Sequence, residues 1–128
     1  MAAIRVFEDL IAWQRARLLA RLISRATSDP GFGPHFKLKA QLNSAAFSVM
    51  SNIAEGFERG GRREFHQFLS IAKGSLAEVR SLVHYCFDAG LIGEEKHHEL
   101  VELCCETSRV VAGLRRSVDP RTNPKRKN

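Results

Sequence analysis

At 128 residues and 14.4 kDa, with 44% apolar and 27% charged residues, the chain has the make-up of one globular domain, too apolar for intrinsic disorder and too short for a second sizeable core. Twenty Lys and Arg against fourteen Asp and Glu give a net charge of +6, which favours an anionic partner. No run approaches the roughly 20 apolar residues of a membrane span, and charge arrives too early in MAAIRVFEDL for a secretion signal; Cys86, Cys104 and Cys105, without paired-knuckle spacing, fit a reducing cytoplasm better than a disulfide scaffold.

Glycine and proline breakers divide the chain into four predicted helices, and no stretch sustains the alternation of a strand. The first is expected from Glu8 to Ala26, before Ser28-Asp29-Pro30-Gly31. Its core stripe is Ala12, Ala16, Leu19, Ile23 and Ala26, while Arg15 falls inside the apolar arc and reads as snorkelling or ion-paired. On the exposed side, Arg17, Arg21 and Arg25 recur every four residues.

The second helix is expected from Phe36 to Phe57, before Arg59-Gly60-Gly61. Leu38, Leu42, Ala45, Val49 and Ile53 form its stripe, and Phe47, Met50, Ala54 and Phe57 widen the apolar arc beyond half the circumference. Such a helix needs partners on more than one side.

The third spans Arg62 to Ala89, with the stripe Phe65, Phe68, Ala72, Leu76, Val79, Val83 and Cys86. A row of small residues, Ser70, Gly74, Ala77 and Ser81, lies outside that stripe; it either faces solvent or admits another helix. Arg62, Lys73 and Arg80, flanked by His66 and His84, form a second basic row. The fourth helix begins near Gly93 and ends before Pro120, with Leu100, Cys104, Val111, Leu114 and Val118 inward. The fold class follows as all-α: residues 1–118 make an antiparallel up-and-down four-helix bundle, and residues 119–128, DPRTNPKRKN, a basic disordered tail.

VFEDLIAWQRA, then SAAFSVMSNIAEGFERGGRREFHQFLSIAKGSLAEV, then Ala89-Gly90-Leu91-Ile92 resemble the bacterial four-helix-bundle proteins encoded in intervening sequences of large-subunit ribosomal RNA genes. The resemblance covers about residues 5–118 and rests most on Ser51-Asn52-Ile53-Ala54-Glu55-Gly56 with Arg59, Glu64-Phe65, Phe68-Leu69 and Gly74-Ser75-Leu76. It implies a ring-like homopentamer and a nucleic-acid role, with no established reaction. A related accessory protein of diversity-generating retroelements, which binds nucleic acid and a reverse transcriptase, is an analogy for a scaffold.

The SNIAEG segment reads mainly as structure. Gly56 suggests close helix approach or an early helix end, Asn52 at a core border needs a hydrogen-bond partner, and Glu55 precedes Arg59 by the four residues of a helical ion pair. Glu94 and Glu95 each stand three residues before a histidine, but on one helix only, so no metal site is expected. Gly60-Gly61-Arg62-Arg63 lacks a phosphate-loop fingerprint, no nucleophile elbow appears, and no cofactor is expected.

The basic rows are the better functional signal, because Lys and Arg release counterions from phosphates whatever the sequence. The expectation is a non-catalytic homo-oligomer binding RNA or DNA backbones through Arg17, Arg21, Arg25, Arg62, Lys73 and Arg80. The alternative is a protein–protein scaffold with no direct nucleic-acid role.

Overall fold

The computed structural model describes residues 3–122. Four α-helices run as α1 (Ile11–Thr27), α2 (Phe36–Glu58), α3 (Arg62–Asp88) and α4 (Glu94–Ser117), and no strand occurs among the described residues. Each helix packs on the next, and α4 closes against α1.

Cross-helix pairs fix the directions. Along α2 and α3, Gln41 meets Glu78, Ser48 meets Ser75 and Gly56 meets Phe65 and Phe68. Along α3 and α4, Ser70 meets Arg115, Lys73 meets Ser108 and His84 meets His97. Rising numbers on one helix match falling numbers on the next, so these neighbours are antiparallel.

The connections follow from local chemistry. Asp29 accepts a hydrogen bond from the Gly31 amide at 2.8 Å, capping a 3-10 turn over Pro30–His35. Phe32 in that turn is buried beneath the α1–α2 end. Gly60 (φ 82°) and Gly90 (φ 75°) supply the left-handed backbone that ends α2 and α3. After Gly90, the Leu91 amide reaches back to the Cys86 carbonyl at 2.9 Å.

The first helix starts later than the sequence suggests. Phe7–Asp9 form a 3-10 turn, and Leu10 is extended (ψ 127°) before α1 begins at Ile11. The arm is fixed by an edge-on contact of Phe7 with Trp13, centroids 5.2 Å apart, and by Gln14 donating to the Glu8 carbonyl.

Leu19, Ile23, Val49, Ile53, Leu69, Val79, Val83 and Val111 are fully enclosed at the centre. Five stripe assignments shift. Leu69, not Phe68, is the buried residue of that turn of α3; Phe68 instead lies at the α2–α3 boundary over Gly56. On α4, Leu103 and Thr107 are buried, whereas Leu114 and Val118 are only half-buried near the bundle end. Leu38 and Ala26 are likewise half-buried, and Trp13, Thr27, Ala46 and Gly56 join the interior. Thr27 fits there because its hydroxyl donates to the Ile23 carbonyl at 2.8 Å and accepts from Asn43 Nδ2 at 2.8 Å.

Residues 119–122 turn back to α3, where Arg62 donates to the carbonyls of Asp119 and Thr122, both at 3.1 Å. The remainder of the expected tail, residues 123–128, lies outside the described residues.

Candidate functional site

The SNIAEG segment proves architectural. A methyl group at Gly56 would sit 2.6 Å from Phe68 Cβ, so the glycine lets α2 and α3 meet closely. Asn52 Nδ2 donates to the Ser48 carbonyl at 2.8 Å, and Glu55 pairs with Arg59 at 2.9 Å on the surface. Arg15 lies 3.1 Å from Glu106 Oε2 across α1 and α4, in ion-pair contact although its Nε–H is not aligned as a hydrogen bond.

The two basic rows occupy different places. Arg17, Arg21 and Arg25 are all exposed on α1, facing away from the buried stripe. Arg17 lies over the Trp13 ring, its guanidinium carbon 5.4 Å from the centroid, which holds part of the row against the surface. Successive members are about 6 Å apart along the helix axis, given a rise of about 1.5 Å per residue.

The second row does not point freely outward. It borders the seam where α3 meets α4, and each member has a neutral partner there. Arg62 holds the two carbonyls after α4, Lys73 Nζ lies 3.4 Å from Ser108 Oγ, and Arg80 lies 3.5 Å from Cys105 Sγ. Arg115 joins the same seam from α4, donating to Ser70 Oγ at 2.8 Å. Sequence reading missed Arg115 and Ser108, since only the register between the two helices brings them beside the row.

Most described cations, Arg5, Lys37, Lys39, Arg63, Arg109 and Arg116 among them, lack a carboxylate partner, so placement in rows rather than charge compensation sets these groups apart. Among the described residues the ion pairs are Arg15–Glu106, Arg59–Glu55, Lys96–Glu99 and Arg121–Asp119. None involves Arg17, Arg21, Arg25, Arg62, Lys73, Arg80 or Arg115. Hydrogen bonds from the Arg121 guanidinium and backbone amide hold the Asp119 carboxyl well below the usual acid range.

At the far end of the seam His84 Nδ1 lies 2.9 Å from His97 Nε2, and His97 stacks on Phe87 with centroids 4.2 Å apart. No group of three or more His, Cys, Asp or Glu among the described residues is placed to hold a metal ion. Cys86 and Cys104 are buried, and burial pushes the Cys104 thiol up to about 12; Cys105 adds to this and Arg80 opposes it. No helix among the described residues is long and apolar enough to cross a membrane.

Residues 8–113 match the family described as 23S rRNA-intervening sequence protein. The chain belongs to this family. The matched segment contains α1–α3, most of α4 and all six predicted basic contacts. A solved structure of a protein with unknown function from the S23 ribosomal protein family of Bacteroides thetaiotaomicron is similar in fold, with a TM-score of 0.75. The two share 16% identity, and the match covers 83% of this chain and 96% of the other. No curated protein matches the chain.

Proposed function

We propose that the protein is a self-associating, non-catalytic bundle of the cytoplasm that binds RNA or DNA through phosphate backbones without reading sequence. The contacts fall to Arg17, Arg21 and Arg25 on α1 and to Arg62, Lys73 and Arg80 along the α3–α4 seam. The observation that carries this reading is the alignment of these cations, three on one exposed face of α1 and three along one seam, with no carboxylate within ion-pair distance among the described residues. Uncompensated charge of one sign, held on rigid helices, attracts polyanions by counterion release. Base stacking has no part in it, because aromatic rings do not interleave with either row.

Self-association is supported by apolar side chains left open on α2 and α3: Phe47 is 57% exposed, Ile71 52% and Tyr85 55%. The small row on α3 offers a close approach, since a side chain at Gly74 would meet nothing within 4 Å. The resemblance to the ribosomal intervening-sequence proteins makes a ring of five the expected assembly. The same open apolar residues favour the second reading, a scaffold for a protein partner.

Salt-dependent binding separates the two. Log affinity for single-stranded RNA should fall with log salt by about 0.7 per phosphate neutralised. Replacing Arg17, Arg21 and Arg25 together by Gln should weaken unrelated sequences alike and flatten that slope by up to about 2. The comparison belongs in protein ending at Thr122, which drops Lys125, Arg126 and Lys127 yet keeps the carbonyls that hold Arg62. No binding by that protein at low salt removes the nucleic-acid reading and leaves the scaffold.

A further inference from the structure

The seam between α3 and α4 opens into a cavity of about 180 Å³ lined by Lys73, Leu76, Ala77, Arg80, Cys104 and Ser108. Two of its six lining residues are cations and none is an acid. Lys73 and Arg80 stand seven residues apart, two turns along one face of α3, about 10 Å by helix rise. Ser108 faces them from α4, 3.4 Å from the ammonium.

We propose that this cavity seats one phosphate-class oxyanion, gripped by Lys73 and Arg80 with the Ser108 hydroxyl as a third donor. The inference rests on the phosphate-binding reading above and narrows it to one place on the surface. Five observations lead there.

The present partners of the two cations are weak ones. Lys73 reaches Ser108 only at the long limit of a hydrogen bond, and Arg80 is turned to a thiol sulfur at 3.5 Å. An anion oxygen is a far stronger acceptor for both heads, so exchanging partners strengthens every bond involved. Lys73 is also half-buried, which makes its lack of a counter-charge more costly than for a free surface lysine.

The walls match the same ligand. Leu76 and Ala77 place apolar surface beside the charges, which lowers the local dielectric and lengthens the reach of each cation. Two positive heads balance a dianion, whereas a carboxylate would leave one uncompensated. The volume of about 180 Å³ accommodates a tetrahedral oxyanion with some water.

Titration calorimetry of the full chain with inorganic phosphate, at low ionic strength, tests the site directly. The expected result is saturable binding of one phosphate per chain, weakened tenfold or more by Lys73→Gln and by Arg80→Gln. Lys37→Gln, an exposed residue at the start of α2 that does not line the cavity, should leave phosphate binding unchanged. Circular dichroism and melting of each variant show whether the bundle is intact; Ser108→Ala, which removes one donor and no charge, should weaken phosphate severalfold and serves if a charge variant fails to fold. Absence of saturable binding at millimolar phosphate, or equal binding by wild type and both folded charge variants, overturns the proposal.

A pair of oligonucleotides identical but for a 5′-phosphate then names the source of the ligand. Tighter binding of the phosphorylated strand, lost in Lys73→Gln, assigns a terminal phosphate. Equal binding of both strands, weakened equally by Lys73→Gln, assigns the backbone. Phosphate binding without RNA binding removes the nucleic-acid reading and keeps the site. RNA binding that Lys73→Gln and Arg80→Gln do not touch removes the site and leaves the α1 row as the contact.

Discussion

Gly56 shows how a single hydrogen atom can decide the packing of two helices. Alanine there gains about 1 kcal/mol of helix propensity. Its methyl group would sit 2.6 Å from Phe68 Cβ, the fixed root of a side chain that cannot swing away. Overpacking of that kind costs about 1–3 kcal/mol, so Gly56→Ala should lower stability in denaturant titration despite its better propensity. Leu76, 2% exposed at the centre of α3, is a simpler case. Leu76→Ala should cost about 2–5 kcal/mol, and a loss below about 0.5 kcal/mol would mean that this face of α3 is not core. The cysteines divide by access. Cys105 is half-exposed whereas Cys86 and Cys104 are 1% exposed, so a thiol reagent should modify one group quickly in native protein and three after unfolding.

The raised thiol of Cys104 also has a pH signature. Folding favours its protonated form, so stability is intact below about pH 9, where the unfolded thiol keeps its proton as well. Above that the unfolded chain ionises first, and stability declines until the folded group ionises near pH 12. The decline is at most about 1.4 kcal/mol per pH unit. In Cys104→Ala the denaturation midpoint should vary less between pH 9 and 11 than in wild type.

At the level of elements, α3 carries a buried face and a face on the α4 seam, and its small row borders the seam. Ser70 accepts from Arg115 and Ala77 lines the cavity, which leaves Gly74 and Ser81 as the open members of that row. Gly74 discriminates what the row is for. Nothing lies within 4 Å of a side chain built there, so Gly74→Ala should raise helix stability by about 0.5–1 kcal/mol. Gly74→Leu should shift light scattering toward the 14.4 kDa chain while leaving helicity in place; parallel loss of helicity and assembly would put Gly74 in the bundle interior instead. The helices themselves were legible in the sequence because Pro30, Gly60 and Gly90 interrupt strong 3.6-residue patterns. The 3-10 turn at Phe7–Asp9 was not, since apolar Phe7 and Leu10 continue the pattern of α1 while the backbone leaves it. Nor was the exchange of Phe68 for Leu69: both border the stripe, and the choice depends on the gap that Gly56 opens across the interface.

For the whole molecule, the division of the six basic residues into two rows was legible in the sequence, but the surroundings of the second row were not. The α1 row emerged where helical spacing put it, whereas the α3 row became one wall of a seam whose other wall, with Ser108, Arg115 and His97, lies some 13 to 45 residues further along the chain. Register between helices is set by how side chains interlock, and a periodic pattern on one helix carries no record of it.

The ladder of arginines on α1 has an effect before any ligand arrives. Arg17–Arg21 and Arg21–Arg25 are like charges four residues apart, an arrangement that costs an isolated helix about 0.2–0.5 kcal/mol per pair. Counterions from plain salt screen that repulsion, so α1 should exchange its amide hydrogens more slowly as ionic strength rises. The same rise in salt weakens attachment of a nucleic acid. The free protein and the proposed complex would then respond to electrolyte in opposite directions, and the helix proposed to meet the polyanion would be firmest under conditions in which the polyanion is let go.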